Sequence, residues 1–203
     1  MAEGKGEIGR DDGGAAPAPR IAGLEALLAA RDSKVLPPVE QWDPPYCGDI
    51  GLAIAADGTW SYRGSAIRRP ALVKLFASVL TRSADGRHFL VTPVEKVDVA
   101  VADAAFLAVE MEVDGDGRQR RITFRTNLDD VVTCGPHHAL RCADTVRHQM
   151  ASGAAFKPYV HVRRGLEARL TRALAYDLAS YLETEGHAGR HGIWSDGVFF
   201  PVS

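Results

Sequence analysis

Apolar and polar residues alternate over much of this chain from Leu52 onward, and a period of two is typical of strands with one buried face. Residues 52–55 and 59–63 both follow this pattern. Asp57-Gly58 separates them, and this dipeptide favours the positive φ angles of a tight hairpin turn. The pattern therefore predicts a β-hairpin at this point.

Two stretches change to the spacing of an amphipathic helix. The first follows Pro70, a residue tolerated in the first helical turn, and its apolar stripe consists of Leu72, Leu75, Phe76, Val79 and Leu80. The second covers residues 166–182, where a leucine recurs every four positions, at Leu166, Leu170, Leu174, Leu178 and Leu182. We expect one helix in each stretch.

Several further segments have β character. The chain from residue 97 to 134 contains strand patterns at 97–101, 106–113 and 119–126 and a weaker one at 131–134, with Asp114-Gly115-Asp116-Gly117 as a turn. An antiparallel meander fits this segment best. Other strands are predicted at 88–94, 159–163 and 197–202.

The pattern contains an internal repeat. A strand ending in Arg63-Gly64 and a strand ending in Arg164-Gly165 are each followed by a helix. Leu72, Ala77, Ser78 and Leu80 of the first helix correspond to Leu174, Ala179, Ser180 and Leu182 of the second, and each helix leads to Asp-Gly and then Pro-Val. The common order favours duplication of one strand-helix-strand unit, and the seam between two such halves is a frequent place for a ligand pocket.

These elements predict an α+β fold with duplicated strand-helix-strand units and antiparallel sheets. Residues 1–20 mix Gly, Ala, Pro and charges without periodicity, so we expect a disordered tail. The predicted domains are an N-terminal α+β domain at 21–95, beginning with a short amphipathic helix over 21–28, and a C-terminal β-rich α+β domain at 96–203.

Composition sets limits on function. The net charge of −2 and the pI near 6.4 provide no general attraction to nucleic acid or to an anionic membrane. Three cysteines form no disulfide framework pattern, and no apolar run is long enough to span a bilayer. We therefore expect a cytoplasmic protein that binds neither nucleic acid nor membrane; the oligomeric state is open.

No complete catalytic or cofactor motif is present. The chain lacks a phosphate-binding P-loop and a dinucleotide-binding Gly-rich turn, and no cofactor is expected. The segment 134–142 holds Cys134, His137, His138 and Cys142, but their spacing matches no strong zinc pattern, so we expect no metal. An enzyme, with Cys47 as a candidate thiol, is the least supported alternative.

Many ordered segments resemble the bacterial domain-of-unknown-function 1285 family. They are Cys47-Gly48-Asp49-Ile50, Asp57-Gly58-Thr59-Trp60, Arg63-Gly64-Ser65-Ala66-Ile67, Leu72-Val73-Lys74-Leu75-Phe76, Leu90-Val91-Thr92-Pro93-Val94-Glu95-Lys96, Asp103-Ala104-Ala105-Phe106, Phe124-Arg125-Thr126-Asn127 and Pro158-Tyr159-Val160. The resemblance runs from about Val39 to Ser203. It implies a duplicated α+β core, a C-terminal half superficially like pleckstrin-homology barrels, a site between the halves for a nucleotide-like ligand, and a signalling role.

Six residues are candidate ligand contacts. Arg125 and Arg163 carry guanidinium groups, which suit phosphate or carboxylate. Lys96 lies where the chain passes between the halves, and Asn127 would add an amide. Trp60 and Tyr62 share a strand face and would offer a stacking surface.

The main hypothesis is a ligand-binding signalling or sensor module that holds a small anionic, nucleotide-like molecule between its halves. The alternative is a protein-interaction adaptor without a small ligand, which would use a sheet edge or the helix predicted over 21–28.

Overall fold

The computed structural model describes residues 36–143, 156–185 and 190–202. The predicted tail at 1–20 and the predicted helix at 21–28 lie outside these residues. The described chain is mostly β, with two α-helices, two six-stranded sheets and one three-stranded sheet. The helical share is thus smaller than the α+β expectation implied.

The first sheet contains the predicted hairpin and has the strand order β3-β2-β1-β6-β5-β4. Its strands are β1 (Tyr46–Ile54), β2 (Trp60–Tyr62), β3 (Ser65–Ala66), β4 (Leu80–Arg82), β5 (His88–Val91) and β6 (Lys96–Val101). β1 and β2 pair over Asp57-Gly58 as expected. β6, by contrast, pairs with β1 and β5, so it belongs to this sheet and not to the predicted meander.

The second and third sheets contain the rest of the chain. The second has the order β10-β11-β12-β7-β8-β9 and the third the order β13-β14-β15. The strands are β7 (Phe106–Asp114), β8 (Arg121–Thr126), β9 (Val131–Thr133), β10 (Leu140–Cys142), β11 (Pro158–Arg163), β12 (Leu166–Leu170), β13 (Glu183–Glu185), β14 (Arg190–Ser195) and β15 (Val198–Pro201). The pairs β1–β6 and β7–β12 are parallel, which corrects the expectation of wholly antiparallel sheets.

Helix α1 (Pro70–Ser78) forms where the apolar stripe predicts it. Pro70 occupies the first turn, where its missing N–H costs nothing. Val73, Leu75, Phe76 and Ala77 are buried, and Phe76 packs against Trp60 of β2 in the first sheet.

The second predicted helix is wrong in its first part, because residues 166–170 form strand β12. Leu166, Ala168 and Leu170 are buried, while the residues between them are half-buried, which is the period of a strand. Residues four apart lie on one face of a helix and also on one face of a strand, so the leucine spacing alone does not distinguish the two elements. Helix α2 (Arg172–Ala179) begins only after Thr171, whose hydroxyl accepts a hydrogen bond from the Leu174 N–H.

The two halves share local geometry. Arg63-Gly64 and Arg164-Gly165 both have positive φ at both positions, 49° and 80° in the first turn and 49° and 72° in the second. This is the signature of a type I′ hairpin turn. In both helices a serine near the C-terminal end donates to the carbonyl three residues earlier, Ser78 to Leu75 and Ser180 to Asp177. These features are consistent with two similar halves.

The N-terminal half (residues 36–101) and the C-terminal half (106–202) meet along a seam. Buried apolar side chains of both halves belong to one continuous cluster, in which Phe76 and Leu80 come from the first half and Phe106 and Leu166 from the second. Within the described part of the chain, neither helix is both long and apolar enough to cross a membrane.

Candidate ligand-binding groove at the seam

The turn between β11 and β12 inserts into the N-terminal half through Arg164. Its Nη1 donates to Ser78 O at 2.7 Å and its Nε to Glu40 Oε1 at 2.5 Å, and Nη2 donates to Pro37 O. Only 13% of this side chain is exposed. The Arg164 carbonyl in turn accepts from the Arg82 N–H at 3.2 Å, so the turn is bonded to the edge strand β4.

Arg163 contacts the same end of α1. Its Nη2 donates to Ala77 O at 3.1 Å, and its Nη1 donates to the Asp130 carboxylate. Its guanidinium carbon lies 4.8 Å from the centre of the Phe106 ring. Two arginines of one half therefore meet the last carbonyls of a helix in the other. A helix C-terminus carries partial negative charge, and cations stabilise it.

A second polar contact across the seam centres on Asp103. This carboxylate accepts from the Tyr159 hydroxyl at 2.7 Å and from Lys157 Nζ at 3.3 Å, and Arg169 Nε lies 3.1 Å away. Arg169 also donates to Ala56 O in the first half at 2.8 Å. Burial and the Asp103 carboxylate raise the pKa of Tyr159 to about 12.

We expect Tyr159 to make stability depend on alkaline pH. Its folded pKa lies above the ordinary value of about 10, so its contribution is complete below pH 10 and is lost as pH rises toward 12. Absorbance titration at 295 nm should show a late-ionising tyrosine that Tyr159→Phe removes. A variant that titrates like the parent, with the same fall in unfolding free energy above pH 10, would contradict this assignment.

A groove of about 350 Å³ lies along the seam, next to the Arg164 turn. We call it the seam groove. One wall is the segment 39–44, which begins with the 3₁₀ helix Val39–Gln41. The floor crosses three adjacent strands of the first sheet, and the lining residues there are Thr81 and Arg82 of β4, Val91 of β5 and Lys96 of β6, with Arg164 completing the groove from the other half.

Lys96 is the cation that the fold leaves uncompensated in the groove. Its Nζ lies 4.1 Å from the centre of the Phe89 ring, a cation–π contact, and it has no carboxylate partner among the described residues. Arg82 is only loosely paired, with Glu167 3.7 Å from its Nη1, and 38% of its side chain is exposed. Arg164, by contrast, is fully engaged by the contacts described above.

The wall of the groove adds an aromatic ring and two carboxylates. Trp42 is half-buried and packs against the core, while Glu40 and Asp43 are exposed. A hydrogen bond from its own backbone N–H, followed by the bond from Arg164, lowers the pKa of Glu40. The groove thus has cations on its floor and an indole and acids on its wall.

The predicted site residues do not converge. Lys96 lines the seam groove. Arg163 lies at the seam, but its guanidinium already donates hydrogen bonds to Ala77 O and Asp130. Arg125 pairs with Glu110, Nε to Oε2 at 2.7 Å, and with Asp129 at 3.0 Å. Asn127 accepts from the Leu107 N–H at 3.0 Å, and its amide nitrogen packs against Gly58. These two are occupied by structural contacts.

The two aromatic candidates, Trp60 and Tyr62, differ in their burial. Trp60 is 2% exposed and packs against Phe76 with ring centres 6.1 Å apart. Burial in the core does not agree with the expectation that Trp60 offers a stacking surface. Tyr62 is half-buried, with the Arg63 guanidinium 5.2 Å from its ring centre.

Three groove residues were missed by the sequence reasoning: Trp42, Arg82 and Arg164. In the sequence, Arg164 stands out only as part of the repeated Arg-Gly pair, Arg63-Gly64 and Arg164-Gly165. A signal was present in the sequence, since Arg164 occupies a turn position that favours Asn or Gly.

The remaining candidate groups are the cysteine thiols and the residue types that bind metals. Burial raises the pKa of Cys134 and of Cys142 to about 12, which makes both poor nucleophiles, while Cys47 is exposed. The described residues contain no group of three or more His, Cys, Asp or Glu side chains that could hold a metal ion.

Comparison with known proteins decides the family. The model of the DUF1285 N-terminal domain (domain of unknown function) matches residues 37–104, and that of the DUF1285 C-terminal domain (protein of unknown function) matches residues 105–202. The chain belongs to the DUF1285 family. The boundary between the two DUF1285 domains falls between β6 and β7, where the chain passes from the first sheet to the second.

Two solved DUF1285 structures are similar to this chain. A DUF1285 family protein from Silicibacter pomeroyi DSS-3 is 46% identical, with a TM-score of 0.75 over 87% of this chain and 93% of the other. One from Shewanella baltica OS155 is 30% identical, with a TM-score of 0.48 over 64% of this chain and 91% of the other. No curated protein matches the sequence.

Proposed function

We propose that this DUF1285 protein is a binding module, with a signalling or sensor role, that holds a small anionic, nucleotide-like ligand in the seam groove. The observation that carries the proposal is Lys96, a half-buried cation without a carboxylate partner among the described residues. It lies on the floor of a groove that the N-terminal half forms and that Arg164 of the other half completes. A buried or half-buried charge without a counter-charge is costly, and an anionic ligand would supply that counter-charge.

The arrangement of the groove indicates how such a ligand would lie. A phosphate or carboxylate would meet Lys96 and Arg82, and a planar ring would lie against Trp42. Hydroxyl or amine donors of the ligand would face Glu40 and Asp43. The volume of about 350 Å³ is at the lower end of the range for small-molecule sites, so a mononucleotide or smaller anion fits better than a dinucleotide.

Ligand binding is tested by thermal unfolding with inorganic phosphate, ribose 5-phosphate, adenosine, AMP and GMP in a phosphate-free buffer. A ligand at 100 times its Kd stabilises the native state by about 2.7 kcal/mol. We expect at least one phosphorylated compound to raise Tm, and Lys96→Gln to weaken its binding about tenfold or more, because a charged contact is lost. Adenosine separates the contribution of the base from that of the phosphate.

The matched control is Lys74→Gln. Lys74 is exposed, pairs with Asp129 and does not line the groove, so this variant should keep the affinity of the parent. No stabilisation by any compound at millimolar concentration would overturn the proposal. Equal weakening by both variants would place the contact elsewhere.

A protein-interaction adaptor is the second candidate, because apolar side chains stand exposed beside the same groove. Tyr46 is 55% exposed and Val94 50% exposed, and they lie close in sequence to the groove residues Pro44 and Lys96. A purified partner whose binding is weakened by Val94→Ser but not by Lys96→Gln would favour the adaptor over the small ligand.

A further inference from the structure

The two repeated hairpin turns differ in their surroundings. Arg164-Gly165 is docked against the end of α1, whereas Arg63 and Gly64 are exposed. The Arg63 guanidinium lies over the neighbouring Tyr62 ring, and among the described residues no carboxylate pairs with it. The Arg164-Gly165 turn therefore has a binding site within the chain. The Arg63-Gly64 turn has the same backbone geometry but is exposed to solvent.

The two helix ends differ in a complementary way. Ser78 O accepts from Arg164, but the corresponding Ser180 O of α2 receives no donor from the described residues. Arg120 donates to the carbonyl of the following residue, Tyr181, at 3.4 Å and to the Glu183 side chain at 2.8 Å. The end of α2 thus carries an unfilled acceptor where the end of α1 is filled by arginine.

A groove is open at this unfilled helix end. It measures about 450 Å³, and its lining consists of Met111 and Val113 of β7 and Tyr176, Asp177, Ser180 and Tyr181 at the end of α2. We call it the helix groove. Tyr176 is 65% exposed, and Asp177 adds a full negative charge beside the partial charge of the helix end.

We propose that the Arg63-Gly64 turn of a second copy of this chain docks in the helix groove. Arg63 would donate to Ser180 O and pair with Asp177, as Arg164 donates to Ser78 O and pairs with Glu40 within the chain. The internal contact is the precedent for geometry, and Arg63 and Asp177 carry opposite charges. Turn and groove are both present on every chain, and we place them reciprocally, with the turn of each copy in the groove of the other, which makes the contact a two-fold symmetric dimer.

Charge reversal and its rescue test this dimer. Sedimentation velocity of the full chain over a concentration series should show a monomer–dimer equilibrium. Arg63→Glu and Asp177→Arg should each weaken dimerisation about tenfold or more, since each reversal acts in both contacts. The double variant Arg63→Glu/Asp177→Arg should restore most of the affinity, because the two new charges are again opposite.

Arg68→Glu is the control, because Arg68 is exposed close to the same turn. It should leave dimerisation unchanged. Both reversed side chains are exposed, so thermal unfolding of dilute protein should report a folded chain in every variant. A parent that stays monomeric at the highest concentration overturns the proposal, and so does a dimer that resists both single reversals or is not restored in the double variant.

Discussion

Replacing Arg164 with alanine is expected to lower the free energy of unfolding by about 2–4 kcal/mol, the range for removing a nearly buried charged donor from several acceptors. The variant loses the bonds to Ser78 O, Pro37 O and Glu40 at once. It also leaves the Ser78 carbonyl at the end of α1 without its cation, while Arg163 still donates to Ala77 O. The left-handed φ of 49° at this position does not add to the difference, because alanine and arginine both carry a Cβ.

Urea unfolding followed by circular dichroism measures this effect. Arg164→Lys keeps the charge but not the fork of donors, so its loss should be intermediate. Arg121→Ala is the control, since that side chain is 60% exposed and lies 3.8 Å from Asp196; a change within about 0.5 kcal/mol is expected. If Arg164→Ala is as mild as this control, the turn does not hold the halves together.

Replacing Trp60 with alanine should be at least as damaging, with a loss of about 3–5 kcal/mol, because truncating a buried aromatic residue leaves a cavity. Trp60 packs on Phe76 of α1, and its indole N–H is buried without an acceptor among the described residues. Trp60→Phe therefore gives up volume but no hydrogen bond, and should cost clearly less than Trp60→Ala.

Tyr62→Ala separates a core role from a ligand role in the same strand. Tyr62 is half-buried, so its truncation should cost less than half as much as that of Trp60. Chemical unfolding and ligand binding are measured on each variant. A Trp60→Ala variant that keeps its stability and loses only ligand binding would restore the stacking role that the sequence indicated and that the burial of Trp60 argues against.

The spacing of apolar residues predicted an element correctly where it fitted either a helix or a strand but not both. Pro70 and the stripe ending at Leu80 predicted α1, and Asp57-Gly58 predicted the first hairpin, because in both places turn chemistry and periodicity agree. At residues 166–170 they did not agree. The leucines allowed either element, and only Gly165 before them and Thr171 after them marked a strand followed by a new helix start.

The candidate groove was less predictable because it is assembled from distant segments. Lys96 was identified from its place between the halves, but Arg82, Trp42 and Arg164 come together only when the Arg164 turn packs on the first sheet. Arg125 carries the same chemical group as a phosphate ligand, yet its cross-strand neighbour Glu110 neutralises it. A single sequence shows which side chains are charged but not which of them find a partner.

The contacts of Arg163 and Arg164 also bear on how the family should be dissected. The two DUF1285 matches suggest a gene that can be cut at residue 104 into two modules. Such a cut would separate the last carbonyls of α1 from the arginines that bind them, and would divide one apolar cluster into two solvent-facing faces. We therefore expect an N-terminal fragment that ends at residue 104 to be less stable than the whole chain, because it would lack the Arg163 and Arg164 contacts at the end of α1.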